Sequence, residues 1–354
     1  MSRILFVLKR REDFNATKHT TIGLTTGLYN SATFVCDMVR EIGHNSRLVV
    51  VNDNNDIDRE VTAYRPTHCI IEALWVVPSK FDILAKLHPD VKWIIRIHSE
   101  LPFMANEGVA VSWFGDYLAH DNIVLAPNAP RMMREVETFA KLLGYTDSEI
   151  KRKVVYLPNS YPQDDYQPHK KINRKADTIH IGCFGAIRPL KNHLMQALAA
   201  AEFAHSIGKK LAFHVNAGRV EMKGQPVVNN LRGLFEHLYD RGDRMIVHKW
   251  TERAEFLKTC RSMDLGMQVT FTETFNIVAA DLVTQGVPII TTKEIPWASS
   301  WFSADPTDSK DIVAKLQRAY DNADWNVGLN QDALHKYTNN TKRIWKGYFN
   351  ATSP

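Results

Sequence analysis

The chain has 354 residues, of which 44% are hydrophobic and 23% are charged, and its formal net charge is +5. This composition is that of a globular protein with about two domains, and it excludes a disordered acidic or basic tail protein. The four cysteines form no C-x-x-C pair, so the sequence offers no spacing for a thiolate zinc site or a dithiol redox motif.

The first half of the chain alternates short apolar runs with segments of helical spacing. Residues 4–8 predict a buried strand, and apolar residues within 34–42 predict a helix that Gly43 ends. Further strands are predicted at 48–51, 69–71, 93–97 and 123–126. Strands that alternate with helices indicate βαβ units and a parallel sheet.

Residues 161–177 are polar, contain prolines and lack periodicity, which predicts a linker between domains. The alternation then restarts, with strands predicted at 178–184, 211–215, 245–247, 265–269 and 288–291. Helices are predicted at 194–204, 228–238, 252–263, 276–285 and 309–349. We therefore expect an α/β protein of two Rossmann-like, doubly wound domains that face a cleft, with boundaries at 1–160, 178–330 and a last helix, 331–354, that packs back on the first domain.

Several motifs are absent from the sequence. There is no P-loop, no G-x-G-x-x-G after the first strand, no G-x-S-x-G and no H-E-x-x-H. The Asp-Ile-Asp triplet at 56–58 is interpreted as a solvated loop between a strand and a helix. The first apolar run is shorter than the ~7–15 residues of a signal-peptide core, and nothing approaches the ~18 of a membrane span. We expect a cytoplasmic protein with no membrane partner.

The segment after the strand at 178–184 carries the strongest chemical signal. Gly185 permits a tight turn, Arg188 and Lys191 follow, and a helix then begins. Two cations beside a helix N-terminus suit a diphosphate, and we expect both side chains to be accessible to solvent. The alternative is a loop with two solvated basic residues.

A second signal lies before and within the helix predicted at 276–285. Glu273 and Asp281 are separated by seven residues, so both carboxylates can face one site. Carboxylate oxygens accept hydrogen bonds from vicinal hydroxyls, which suits a sugar and a ribose. The alternative is a helix-capping Glu273 and an exposed Asp281.

These motifs together resemble the retaining, GT-B-fold glycosyltransferases of the E-x7-E type. Residues 157–160 resemble their I-P-N-G segment, 185–191 their G-R-x-x-x-x-K diphosphate segment, and 247–250 lie where they contact the nucleotide base. The resemblance implies transfer of a glycosyl group, with retention, from a nucleotide diphosphate sugar to a hydroxyl. It implies a UDP-sugar as donor, no metal requirement, an acceptor domain at 1–160 and a donor domain at 178–330.

The resemblance also implies roles for single residues. Arg188 and Lys191 would neutralise the diphosphate, Glu273 would orient the sugar, and His98, after the strand at 93–97, would lie near the reacting centre. Donor-binding residues by the same likeness are Gly185, Arg188, Lys191, Glu273, Phe275, Asn276 and Asp281. Asp281 is one methylene shorter than the family's Glu, and Asn276 stands where the family usually has Gly. A histidine satisfied at a strand end is the alternative for His98.

The acceptor is left open by these motifs. Residues 70–78 and 96–102 resemble stretches of phage-encoded transferases, which suggests double-stranded DNA with hydroxymethylated pyrimidines. Basic residues would contact its phosphates, at positions 9–11, 131, 134, 151–153, 170–171 and 174–175. The alternatives are a small-molecule, lipid or glycan acceptor, a non-catalytic binding protein and an epimerase of the same fold.

Overall fold

The structure is a computed structural model that describes residues 2–10, 27–106, 108, 110–164, 166–216, 218, 220–221 and 223–352. It is an α/β protein with two parallel five-stranded sheets, which confirms the predicted fold class. Its contacts divide the chain into two units, one formed by Met1–Pro162 with Tyr337–Pro354 and the other by Gln163–Lys336.

The sheet of the first unit has the order β2-β1-β3-β4-β5. Its strands are β1 (Arg3–Lys9), β2 (Asn45–Val51), β3 (His68–Glu72), β4 (Lys92–Ile97) and β5 (Ile123–Pro127). The helices between and after them are α1 (Gly27–Glu41), α2 (Asp56–Tyr64), α3 (Phe81–Leu87), α4 (Leu101–Met104), α5 (Ala110–Ala119), α6 (Pro130–Leu142) and α7 (Asp147–Lys153). All five predicted strands are confirmed to within a few residues.

The sheet of the second unit has the order β10-β9-β6-β7-β8. Its strands are β6 (Thr178–Gly182), β7 (Lys210–Val215), β8 (Arg244–Val247), β9 (Leu265–Gln268) and β10 (Ile289–Thr291). Its helices are α8 (His193–Ser206), α9 (Gln225–His237), α10 (Arg253–Arg261), α11 (Ile277–Thr284) and α12 (Ser309–Asp321). The last helix, α13 (Ala323–Thr352), belongs to the second unit before Tyr337 and to the first unit from there on.

Strand β1 shows why the predicted strands read as continuous apolar runs. Phe6 packs in one buried cluster with Trp345 and Phe349 of α13, whereas Leu5 and Val7 belong to another cluster. Since successive side chains of a strand point to opposite faces, β1 is covered on both faces of its sheet. The last turns of α13 are therefore part of the core of the first unit.

Two predicted features take a form that the sequence did not indicate. Asp56 and Asp58 lie in the first turn of α2 rather than in a loop, where Asp58 contacts His88 at 2.7 Å. The segment predicted as a linker hydrogen-bonds within the second unit, through the N–H of Gln167 to the carbonyl of Thr284 at 2.7 Å.

Among the helices that the structure describes, none is both long and apolar enough to cross a membrane.

Candidate functional site

The second sheet has a topological switch point between the neighbouring strands β6 and β9. From there the strand order continues to β7 and β8 on one side and to β10 on the other. Ligands of open α/β sheets bind outside the carboxyl ends of the strands at such a point. The segments that follow β6 and β9, residues 183–192 and 269–276, therefore define the candidate site.

The segment after β6 is held in a fixed path. Gly185 has a φ of +113°, which favours glycine, and its N–H donates to Oδ1 of Asn216 at 3.1 Å. The chain then makes a short 3-10 turn, Pro189–Lys191, before α8 begins. Asn192 anchors the start of α8 by donating from Nδ2 to the carbonyl of Pro306 at 2.8 Å.

Hydrogen bonds hold the two segments of the site beside each other. The N–H of Phe271 donates to the carbonyl of Leu190 at 3.0 Å. The N–H of Val269 donates to Oε1 of Gln196, in the first turns of α8, at 2.8 Å. The charged side chains of the two segments are consequently brought within reach of each other.

Lys191 and Glu273 form an ion pair, with Nζ donating to Oε1 of Glu273. Burial lowers the pKa of Lys191; Glu273 opposes this shift, and the positive charge of Arg188 adds to it. The two side chains are only 12% and 10% exposed. The expectation of a solvent-accessible Lys191 was wrong, because Glu273 compensates the buried charge.

Arg188 reaches a carboxylate that the sequence analysis did not identify. Its Nη1 lies 3.7 Å from Oε2 of Glu221, and both side chains are about one-fifth exposed. A β-bridge between Ile187 and Val220 positions this pair. No local sequence pattern around Glu221 indicates this contact, because the contact depends on pairing between segments more than 30 residues apart.

Phe275 and Asn276 shape the start of α11. Asn276 has a φ of +59°, caps the helix by accepting the N–H of Ala279 at 2.9 Å, and donates from Nδ2 to Oε1 of Gln268 at 2.8 Å. The carbonyl of Phe275 accepts Nε1–H of Trp297 at 2.7 Å. These contacts order the backbone of the turn that carries Glu273.

Asp281 lies on α11 and is only 2% exposed. Its Oδ1 accepts a hydrogen bond from Nη1 of Arg253, the first residue of α10, at 2.5 Å. Arg253 was not identified from the sequence, although it lies in the predicted helix at 252–263. The buried carboxylate and its guanidinium partner form a second charged pair in this unit.

His193 is the first residue of α8 and is buried directly after the two cations. Neither ring nitrogen has a hydrogen-bond partner among the described residues. Burial, together with the charges of Lys191 and Arg188, lowers the pKa of His193 to about 3. The ring is therefore neutral at pH 7 and adds no charge to the site.

His98 lies in the first unit, immediately after β4. Its Nε2–H donates to Oε2 of Glu72 at 2.5 Å, and its Nδ1 accepts from Nδ2 of Asn128 at 3.2 Å. These two partners hold the imidazole ring in one orientation. Glu72 was not identified from the sequence, although a carboxylate that ends the apolar strand β3 is a signal for a buried charge.

Arg96 completes this network from the carboxyl end of β4, an inner strand of the first sheet. Its Nη1 donates to both carboxylate oxygens of Glu72 at 3.1 Å, its Nη2 to Asn159, and its Nε to the carbonyl of Leu157 at 3.2 Å. Both charged side chains are 0% exposed. Burial raises the pKa of Glu72, but Arg96 and His98 outweigh it, so the net pKa lies below the usual value.

The structure thus brings Gly185, Arg188, Lys191 and Glu273 together in two adjacent segments of the second unit. Asp281 lies with Arg253 on the neighbouring helices, and His98 belongs to the first unit. Within the described residues, no group of three or more His, Cys, Asp or Glu side chains could hold a metal ion.

Comparison with known proteins identifies the fold but no family. No protein-family profile matches the chain, and no curated protein sequence is significantly similar to it.

Solved structures share its architecture at low identity. The UDP-forming α,α-trehalose-phosphate synthase of Burkholderia vietnamiensis has a TM-score of 0.69 and 13% identity over 99% of this chain and 96% of that chain. A trehalose-6-phosphate protein of E. coli bound with UDP-2-fluoro glucose has a TM-score of 0.70 and 11% identity over 99% of each chain. Anabaena HepE in complex with UDP has a TM-score of 0.61 and 12% identity over 97% of this chain and 95% of that one. With its two parallel sheets, the chain has the GT-B fold.

Proposed function

We propose that this protein is a glycosyltransferase that moves a sugar from a nucleotide diphosphate sugar, with a UDP-sugar as donor, to a hydroxyl acceptor. The observation that carries the proposal is the pair of cations, Arg188 and Lys191, before the N-terminus of α8 at the switch point of the second sheet. Structural neighbours described as UDP-forming, or as bound to UDP or a UDP-sugar, support the nucleotide part of the proposal.

The diphosphate is proposed to lie against the segment after β6. Gly185 allows the backbone to approach a phosphate, and the first N–H groups of α8 provide donors with the positive end of the helix dipole. Arg188 and Lys191 would exchange their carboxylate partners, Glu221 and Glu273, for phosphate oxygens. This exchange keeps the two cations compensated by the diphosphate and frees Glu273 for hydrogen bonds with the sugar hydroxyls.

The carboxylates are proposed to bind hydroxyls. Glu273 would accept hydrogen bonds from the donor sugar, beside the backbone turn of Phe275 and Asn276. Asp281 would contact the ribose, with Arg253 holding its orientation. Because Asp281 is shorter than Glu and mostly buried, we expect a ribose contact through one carboxylate oxygen or a bridging water.

In the proposed reaction the bond between the anomeric carbon and the diphosphate oxygen breaks, and a bond to the acceptor oxygen forms on the same face. The acceptor proton passes to the leaving phosphate. Positive charge develops on the sugar ring and negative charge on the diphosphate, which Arg188 and Lys191 stabilise. His98 is proposed to lie near the reacting centre, with its ring oriented by Glu72 and Asn128.

We retain hydroxymethylated DNA as the proposed acceptor. Several of the basic residues expected to contact its phosphates, however, have partners within the protein. Arg131 pairs with Glu100, Lys153 donates to the carbonyl of His120 at 2.8 Å, and Arg174 donates to the carbonyl of Tyr320 at 2.7 Å. Of positions 9–11, Lys9 and Arg10 are described and Arg11 lies outside the described residues.

Product analysis with a set of nucleotide sugars tests the proposal. We expect release of UDP that depends on an acceptor, and transfer of labelled sugar to either hydroxymethylated duplex DNA or a glycan. Stimulation by modified but not unmodified DNA identifies the DNA acceptor. An isomerised sugar without an acceptor would identify an epimerase, and binding without turnover a non-catalytic protein.

A further inference from the structure

Two tryptophans of the second unit lie exposed beside each other, away from the residues proposed to bind the donor. Trp301, in the connection between β10 and α12, is 53% exposed, and Trp325, in the first turn of α13, is 44% exposed. Their ring centroids are 5.6 Å apart with an interplanar angle of 62°. Adjacent exposed indoles form the kind of surface that typically contacts a ligand.

Arg318 of α12 joins the two rings. Its guanidinium carbon lies 4.6 Å from the ring centroid of Trp301 and 5.8 Å from that of Trp325. Within the described chain, neither this guanidinium nor either indole N–H has a hydrogen-bond or ion-pair partner. The group, which we call the aromatic platform, therefore combines two ring surfaces with three sets of available donors.

The aromatic platform rests on rigid structure. Phe302, which is 1% exposed, packs against Trp325 with ring centroids 5.3 Å apart. The side chain of Ser299 caps the short turn that carries Trp301. Gly328, one helical turn beyond Trp325, leaves open space, because a Cβ built there meets no atom within 4 Å.

The charges near the aromatic platform do not suit a polyanion. Asp321 and Asp324, in the connection from α12 to α13, are 51% and 81% exposed. Asp321 pairs with Arg174 at 3.8 Å and Asp324 contacts His169 at 2.7 Å, so exposed carboxylates stand beside Arg318 in the connection next to the rings. A phosphate backbone gains from a uniformly basic surface, so this surface favours an uncharged ligand.

We propose that the aromatic platform binds a neutral oligosaccharide. The C–H face of a pyranose ring stacks on an indole, and the ring hydroxyls accept hydrogen bonds from Arg318 and the indole N–H groups. Two rings inclined to each other fit successive sugars of a twisted chain. This inference goes beyond the proposed transfer and does not rest on it, because binding of an oligosaccharide requires no nucleotide-sugar donor.

The aromatic platform is nevertheless connected to the candidate site through one segment. Trp297 and Pro306, on either side of Trp301, make the hydrogen bonds to Phe275 and Asn192 described above. An oligosaccharide held at Trp301 is therefore held by the same segment that braces the proposed donor site.

Titration calorimetry with maltohexaose, cellohexaose and chitohexaose tests this proposal on the full chain. We expect saturable binding of at least one of these sugars, weakened about tenfold by Trp301→Ala and by Trp325→Ala. Tyr239→Ala is the matched control, because Tyr239 is 58% exposed in the same unit and Arg244 stacks on it at 3.7 Å. Thermal unfolding of each variant confirms that it is folded.

Three outcomes would overturn the proposal. The first is that none of the three sugars binds. The second is that the Tyr239→Ala control loses as much sugar affinity as the tryptophan variants, and the third is that single-stranded oligothymidylate binds in place of the sugars. The Lys191→Ala variant separates this proposal from the proposed transfer. It should lose UDP affinity and keep sugar affinity, whereas the two tryptophan variants should do the reverse.

Discussion

Both sheets of this protein are parallel and five-stranded, although their strand orders differ, and they hold charge differently at their carboxyl edges. In the first unit, Glu72 and Arg96 are completely buried and bond to each other. In the second unit, Lys191 and Glu273 also pair, but each side chain remains about one-tenth exposed. The completely buried network fixes the orientation of its neighbour His98, whereas we expect the slightly exposed pair to exchange a partner for a ligand.

The largest expected effect is on the enclosed network. Arg96→Ala leaves the carboxylate of Glu72 buried without its main partner, which should lower the free energy of unfolding by about 3–5 kcal/mol. Arg59→Ala is the control in the same unit, because Arg59 is 68% exposed beside Asp56 and should change stability by about 0.2–1 kcal/mol. Urea denaturation measures both, and similar values would show that the buried network has no special role.

The next largest effect is on turnover. Lys191→Ala removes a positioned cation from the proposed diphosphate site, so kcat should fall by about 10²–10³-fold. Lys258→Ala is the control, because Lys258 also pairs with a carboxylate, Glu255, but is 76% exposed. Initial rates of UDP release compare the two variants. Equal rates would place the diphosphate elsewhere.

The two carboxylates of the second unit should respond in different kinetic constants. Glu273→Gln should lower kcat more than UDP affinity, because its proposed sugar contacts strengthen in the transition state. Asp281→Asn should mainly weaken UDP binding, and also lower stability through its bond with Arg253. Steady-state kinetics separate the roles, and a reversed pattern would mean that the assignments are exchanged.

Mildly acidic pH should lower the stability of the second unit more than that of the first. Burial lowers the pKa of His193 and of His214 to about 3, whereas His68 in the first unit falls to about 4. Below the usual value of 6.5 the unfolded chain binds protons that these folded histidines do not, so stability falls by about 1.4 kcal/mol per pH unit for each group.

Hydrogen exchange measured by peptide at pH 6.5 and 5, corrected for intrinsic rates, tests this difference. Protection should fall more in β6–β9 than in β1–β5. Glu72 also contributes to stability, because its pKa is lower in the folded protein than in the unfolded chain. That contribution is lost only at more acidic pH, as the pH falls through the folded-state pKa of Glu72. Equal losses in the two units at pH 5 would contradict the assignment of neutral buried histidines.

The fold was accessible from sequence because its signals are local. The apolar run of β1 and the glycines after α1 and α8 mark the elements directly, and Gly43 and Gly208 indeed have φ values of +96° and +70°. The partners of the charged residues are not local signals. Lys191 meets Glu273 across 82 residues, and Arg96 meets Glu72 across 24.

Strand order and register decide which charges meet, and neither can be read from a single segment. This is why Glu221 and Arg253 were missed while their partners were singled out. The same reason explains why the burial of Lys191 was not expected. A pattern of residue types indicates that a charge is present, but packing decides whether water reaches it.

Equilibrium binding of UDP tests the central claim most directly, since it requires no acceptor. Titration calorimetry should show UDP binding to the unaltered protein, unchanged affinity in Lys258→Ala, and an affinity at least about tenfold weaker when Arg188 and Lys191 are both replaced by alanine. An unaltered protein that does not bind UDP, or a double variant that binds it equally well, would contradict a donor site at the carboxyl edge of the second sheet.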